Sequence, residues 1–398
     1  MLLKTPISMR LIVALALAAT SAILSAAAAT SSASTTTAAA RAQQFGIATG
    51  CCTPTGVSVD DQVAGMAATG AGWVRMDFPW SSTEPSRGTY SWGRDATVSH
   101  FSSVGMKVLG VIAYSPKWAS DPACSATYGT KCPPLANSDF ANYASALAER
   151  YDGDGVNDAP GSPRVDAWEI WNEPNLANFW RPTPNPQAYT ALLKAAYSAI
   201  HAAAPAATVV SAGLSPAGGT FAPLKFLSAM YAAGAHGSFD ALGFHPYSYP
   251  YLPTKVASWN AWQQMFTSFA SVGQPDSLRS LMVANGDSAK KIWATEYGAP
   301  TGGDTNGDGV INCDNDGVLT TGEDNCLTEA QQAVMVSTAY TQWRTYTWAG
   351  PLFWYAYQDL NTGTNNIENN FGLVRSDGTQ KPAYTAYVTA ATAAMATG

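Results

Sequence analysis

Eight short apolar runs, separated by stretches of helical periodicity, constrain this 398-residue chain more than any other feature. The runs are Phe45–Gly50, Trp73–Trp80, Lys107–Ser115, Val165–Glu173, Thr208–Leu214, Ala241–Tyr247, Lys291–Glu296 and Pro351–Tyr357. Helix signals lie between them. Ser58 is placed to cap a helix carrying Val63, Met66 and Ala67, and Ser138 one carrying Phe140, Tyr143, Ala144 and Leu147. Asn185-Pro186 opens a helix in which Tyr189, Leu192, Leu193, Ala196 and Ile200 recur on one face. Thr328 and Gln331 form a capping box before Val334 and Met335, and a last helix carries Tyr384, Tyr387 and Val388. Eight strand–helix units over about 350 residues predict an α/β fold, a closed (β/α)8 TIM barrel in one domain.

Composition supports a large core: 46% of residues are hydrophobic and 12% charged. Lys4 and Arg10 precede the apolar run Leu11–Leu24 and then small residues, the pattern of a secretory signal. Cleavage fits either within Ala26–Ala29 or after Ala42, so residues 1–42 are expected to be a signal peptide and an Ala/Ser/Thr-rich leader, and 43–398 the folded domain. Loss of Lys4, Arg10 and Arg41 lowers the basic count from 21 to 18 against 28 acids. An acidic exported protein without a membrane anchor disfavours nucleic acid and anionic membrane as partners. We expect a secreted monomer with a neutral partner. The six cysteines suggest disulfides, with Cys124–Cys132 and Cys313–Cys326 near enough in sequence to be local staples. Cys51 and Cys52 remain, as a vicinal bridge or as two thiols.

Two of the runs end in the same way. Val165-Asp-Ala-Trp-Glu-Ile-Trp-Asn-Glu-Pro-Asn175 stops at Asn172-Glu173-Pro174, and Lys291-Ile-Trp-Ala-Thr-Glu-Tyr-Gly-Ala-Pro300 stops just after Glu296. Acids at the carboxyl ends of barrel strands lie where such folds keep their chemistry. Two carboxyl groups are also the minimum equipment for cleaving a glycosidic bond. Strand alternation places Glu173 on one face with Trp171 and Glu169, and Glu296 with Ala294 and Ile292. It pairs Arg75 with Asp77, and His245 with Tyr247. An acid beside Arg75 stays ionised and attacks, while a less solvated one keeps its proton and donates it.

The run Trp168-Glu-Ile-Trp-Asn-Glu-Pro-Asn175, together with Glu296, resembles the clan A glycoside hydrolases, most closely family 39 and its cellulase-like relatives and then family 5. The resemblance implies a retaining double displacement with Glu173 as acid/base and Glu296 as nucleophile. It also implies that Asn172 bonds the 2-hydroxyl of the sugar and that Arg75 and Tyr247 hold the nucleophile. Trp354 would be the platform under the reacting sugar, and His245 would complete the pocket. Trp118 and Trp180, near strand-end loops, are further candidates for stacking on sugar faces. The expected partner is a carbohydrate, a β-linked poly- or oligosaccharide cut within the chain. The alternatives are exo-acting release of β-xyloside, arabinofuranoside or uronide ends, and a carbohydrate-binding barrel without turnover.

No cofactor is expected for catalysis, but the loop after Glu296 has a calcium-like pattern. Asp304, Asn306, Asp308 and Gly309 fit the opening of one EF-hand-like loop, and Asn312, Asp314, Asp316, Gly317 and Glu323 fit another. The spacing predicts a structural calcium site beside the Cys313–Cys326 staple. Asp152, Asp154, Gly155 and Asp158 repeat the pattern in shorter form. A zinc His-Glu-x-x-His and a phosphate-binding Gly-rich loop with Lys are absent from the sequence.

Overall fold

The computed structural model describes residues 44–49, 57–267, 277–313, 322–360 and 365–396. The leader at 1–42, Cys51, Cys52, Asp314, Asp316 and Gly317 lie outside the described residues.

The helix signals act locally as their chemistry requires. The Ser58 hydroxyl accepts from the Asp61 N–H and opens α1 (Val59–Ala68). Helix α2 is Asp95–Ser103. Helix α3 spans Asn137–Arg150, so Ser138 falls inside it and not at its cap, and Phe140, Tyr143, Ala144 and Leu147 form its buried face. The Asn185 side chain caps α4 (Pro186–Ala203) by accepting from the Ala188 N–H, with Pro186 in the first turn, where no backbone donor is needed. Helices α5 (Pro223–Ala232) and α6 (Leu278–Ala284) follow. The Thr328–Gln331 capping box is formed at α7 (Glu329–Trp343), and α8 is Pro382–Ala396.

Each helix follows one strand of a closed, wholly parallel barrel in the order β1 to β8. The strands are β1 Phe45–Ala48, β2 Trp73–Pro79, β3 Lys107–Ala113, β4 Ala167–Ile170, β5 Thr208–Ser211, β6 Ala241–Phe244, β7 Lys291–Tyr297 and β8 Ala349–Tyr355. All eight expected strands form, but β4, β5 and β6 are shorter than expected. Beyond the ladders of β4 and β6, Asn172, Glu173 and Tyr247 reach the barrel mouth.

Two cores hold the barrel. The larger lies between strands and helices, where outward residues such as Val74, Ile112, Ile170 and Leu242 meet the helix faces. The smaller fills the barrel interior with Ala48, Trp73, Leu109, Ala167, Val210, Ala241, Trp293 and Phe353. Trp73 and Trp293 meet edge to face at 5.2 Å between ring centroids, a favoured aromatic geometry. Gly46 makes this plug possible, since a Cβ there would lie 2.4 Å from the Phe353 ring. The aromatic plug forms the floor on which the polar residues sit.

Candidate active site

Directly above that floor, β2 contributes Arg75 and β4 contributes Glu169, both buried. Arg75 Nε donates to Glu169 Oε2 at 2.6 Å, Nη1 to Glu296 Oε1 at 2.6 Å and Nη2 to Asn172 Oδ1 at 2.8 Å. One planar guanidinium thus ties β2 to the ends of β4 and β7, a task suited to its rigid fork of donors.

Strict alternation does not describe how the two acids arrive. Past Ile170 the backbone takes positive φ at Trp171 (73°) and at Glu173 (46°), an uncommon conformation for non-glycine residues. Trp171 turns outward and packs against Trp180 at 5.2 Å between centroids. Asn172 and Glu173 turn into the mouth instead, so Glu173 does not share a face with Trp171. The Glu173 N–H is fixed by the Gly213 carbonyl at 3.1 Å. On β7 the pairing with β8 slips between Ala294 and Tyr297. Ile292 and Ala294 face the helices, Trp293 and Thr295 face the interior, and this irregularity re-aims Glu296 inward.

The two carboxyl groups converge. One oxygen of Glu173, one of Glu296 and a ring nitrogen of His245 lie within 4.8 Å of one another. His245 Nδ1 is 2.9 Å from Glu173 Oε1 and 3.5 Å from Glu296 Oε2. The Tyr247 hydroxyl donates to Glu296 Oε2 at 2.9 Å. His245 fits because residue 213 is glycine: a Cβ there would lie 2.0 Å from His245 Nε2 and 2.6 Å from Thr295 Oγ1.

The surroundings hold Glu296 in its charged form. Burial alone would raise the Glu296 carboxyl, but His245, Arg75 and the Tyr247 hydrogen bond outweigh it and hold Glu296 below the usual carboxylate range. Burial opposes charge on His245, and Glu296 and Glu173 overcome it, so the imidazole is held above its ordinary value. Burial pushes Tyr247 up, as does Glu296, so its hydroxyl remains a donor. Asp77, also at the mouth, is raised chiefly by burial. The Glu173, His245 and Glu296 donors would reach a cation, but Arg75 and Tyr247 already occupy both Glu296 oxygens.

A cleft of about 620 Å³ opens over these groups. Arg75, Asn172, Glu173, Tyr247 and Glu296 line it, and His245 lies fully buried behind Glu173. Three expected contacts lie elsewhere. Trp354 is fully buried on the helix side of β8, 5.9 Å from the Tyr297 ring. Trp180 is buried between Trp171 and Tyr189. Trp118 donates from its indole to the Glu84 carbonyl at 2.9 Å and carries the Arg87 guanidinium on its face. Besides Tyr247, the cleft's aromatic residues are Tyr114, Phe179, Tyr249, Tyr355 and Phe371. Tyr355 sits one residue beyond Trp354, and its inward phase is set by Phe353 in the plug, two residues before Tyr355. Glu368 also lines the cleft and is raised by burial, then by Glu296 and Glu173.

Both expected disulfides are formed, Cys124–Cys132 and Cys313–Cys326. The first carries Lys131 to the cleft wall, with its ammonium 3.2 Å from the Tyr114 ring centroid. In the second loop the acids serve their own backbone. Asp304 accepts from Gly307 N and Gly309 N, Asn306 from Asp308 N, and Asp308 from Val310 N. Asn312 N donates to the buried Asp324, which also gathers the N–H groups of Thr305 and Asn306, while Glu323 is half-buried. Among the described residues, the acids whose oxygens converge within 4.8 Å outside the cleft are Asp152, Asp154 and Asp158.

No family model matches the chain, and no curated protein matches it in sequence. Its fold is that of solved glycoside hydrolases of families 39 and 5. A family 39 glycoside hydrolase from the gut symbiont Bacteroides cellulosilyticus superimposes with a TM-score of 0.64 at 23% identity, over 89% of this chain and 64% of that one. This chain therefore spans less than two thirds of that enzyme. A family 39 β-xylosidase from Caulobacter crescentus gives 0.58 at 18% identity, over 88% of this chain and 71% of that one. A family 5 protein from Streptomyces cattleya, solved in complex with GlcNAc, gives 0.59 at 15% identity, over 88% and 81%.

Proposed function

We propose that this protein is a retaining glycoside hydrolase that cleaves β-linked poly- or oligosaccharides. The observation that carries this reading is the approach of Glu173 and Glu296 to within 4.8 Å, oxygen to oxygen, at the mouth of the barrel. Retaining enzymes keep their carboxyl groups about 5–5.5 Å apart, whereas inverting ones leave about 6.5–9.5 Å for a water.

In this reading Glu296, ionised and held by Arg75 and Tyr247, attacks the anomeric carbon. Glu173 gives its proton to the departing glycosidic oxygen as that bond breaks. The product is a glycosyl ester on Glu296. Glu173, now a carboxylate, takes a proton from an entering water, whose oxygen displaces Glu296 and restores the original configuration. Asn172, oriented by Arg75, bonds the 2-hydroxyl in this reading. Tyr355 takes the platform role expected of Trp354.

Cleavage within the chain is the mode we propose. Release of single sugars from chain ends is the second reading, favoured by the fold's likeness to a β-xylosidase. A panel of β-glucan, xylan, mannan, galactan and arabinan, assayed for new reducing ends, tests the activity and separates the modes by product length. A carbohydrate-binding barrel without turnover would release none. We further propose that the protein is exported, supported by the two disulfides, and that it acts as a monomer. We also propose a structural calcium in the 301–327 loop, supported by its acidic spacing.

A further inference from the structure

Glu169 has no surface in the cleft, yet it touches every element that supplies the reacting groups. It is fully buried, and its two oxygens accept from three donors. Arg75 Nε of β2 donates to Oε2 at 2.6 Å. The Gly213 N–H beyond β5 and the Thr295 hydroxyl of β7 donate to Oε1 at 2.7 and 3.0 Å. Each of those partners is one step from the chemistry. Arg75 holds a Glu296 oxygen, Thr295 directly precedes Glu296, and the Gly213 carbonyl fixes the backbone N–H of Glu173. Gly213 thus accepts from one acid's backbone and donates to Glu169.

We infer that Glu169 is the positioning residue of this site, a single buried carboxylate that sets the placement of both Glu173 and Glu296 by holding Arg75, Gly213 and Thr295 in register. The inference rests on the proposed hydrolase reading for its kinetic consequence but not for its electrostatic one. A carboxylate is the group this position demands. Three donors converge on it and none of them can accept from it in return, except Thr295 through its hydroxyl. An amide there has one oxygen for both sides, so its NH2 must face either the guanidinium or the Gly213 N–H. Either choice loosens one of the two acids, and a misplacement of about 1 Å costs about 10²-fold in rate.

The charge matters separately from the geometry. Glu296 is faced by Arg75 and Asp77 from β2, by Glu169 and Glu173 from β4 and its end, by His245 and Tyr247 from beyond β6, and by Glu368. Glu169 and Glu296 are like charges on one guanidinium, so removing the Glu169 charge removes a repulsion and favours the ionised form of Glu296.

Glu169→Gln tests this with two readouts. On the best substrate of the polysaccharide panel, kcat should fall about 10²-fold, with KM held within about threefold because Glu169 does not line the cleft. The carboxyl titration of Glu296, read by carbon NMR of labelled glutamate and assigned with Glu296→Gln, should move to lower pH. A purely structural residue would lower the melting temperature and leave kcat and the Glu296 titration of the folded protein unchanged, and that result overturns the inference. If the wild-type protein releases no reducing ends from any polysaccharide of the panel, the hydrolase reading fails while the titration still decides the role of Glu169. If Glu169→Gln does not fold, Glu169→Asp replaces it, keeping the charge and withdrawing the oxygens from Gly213 and Thr295. The same kcat loss is then required, and wild-type kcat in that variant overturns the inference.

Discussion

Arg75 donates through Nη1 to Glu296 at 2.6 Å, joining the second strand to the seventh across the barrel mouth. The same guanidinium reaches Glu169 and Asn172, so one side chain neutralises a buried acid, aligns the proposed nucleophile and orients the amide beside it. Burial opposes its charge, and Glu169 and Glu296 outweigh that cost, keeping Arg75 ionised beyond its ordinary range. A buried cation held by one buried and one half-buried anion is costly to break from one side. Replacing Arg75 by Met should destabilise the fold by about 3–5 kcal/mol, read by urea denaturation. It should also move the acid limb of kcat/KM to higher pH, since Glu296 loses a group that holds it ionised.

The two acids should separate cleanly by substitution. Glu296→Gln is expected to abolish turnover with the circular dichroism spectrum unchanged. Glu173→Ala should cost about 10²–10⁴-fold on natural glycosides and far less on aryl glycosides whose leaving group needs no proton. Parallel assays of kcat/KM on a disaccharide and its 2,4-dinitrophenyl counterpart check this.

Stability should peak in a mildly acidic window. The folded value of His245 lies above its ordinary 6.5, so its contribution is complete below 6.5 and is lost as the pH rises through the folded value. Glu296 runs the other way. Its folded value lies below 4.5, so its contribution is complete above 4.5 and is lost as the pH falls through the folded value. Urea midpoints measured from pH 3 to 9 should therefore form a plateau between about 4.5 and 6.5. Replacing His245 by Asn should flatten the alkaline fall.

The barrel was legible because burial on both faces of parallel strands gives continuous apolar runs, and because Asn185-Pro186 and Thr328–Gln331 cap helices by local chemistry alone. The meeting of Glu173 and Glu296 at the mouth was legible from their place before strand-stopping residues. The facing of individual side chains was not. Leu352-Phe353-Trp354-Tyr355 is buried or half-buried throughout, so nothing in its pattern tells Trp354 from Tyr355. Only the packing of Phe353 against Trp73 and Trp293 sets the phase. On β4 and β7 the left-handed turn at Trp171 and the slip before Tyr297 reverse an alternation that sequence reads as regular. Glu368 lies 72 positions after Glu296 in a loop and carries no local signal of its place in the cleft.

Tyr355 should behave as a binding residue. Tyr355→Ala is expected to raise KM about tenfold, about 1.4 kcal/mol, with a smaller effect on kcat, in steady-state assays on the best substrate of the polysaccharide panel.

Calcium, if held by the 301–327 loop, should stiffen the wall beside Glu296. Chelation with EDTA should then lower the melting temperature, and added calcium should restore it. A melting curve and activity unchanged by chelator would remove the calcium site and leave the catalytic account intact.

The account depends most on Glu296 forming a bond to the sugar while Glu173 serves the leaving group. Proton NMR of the anomeric signal during the first minutes of hydrolysis of a β-glycoside tests this directly. The β-anomer should appear first and convert to α only by mutarotation. First release of the α-anomer would mean a single displacement by water, and the double displacement assigned to these two residues would be contradicted.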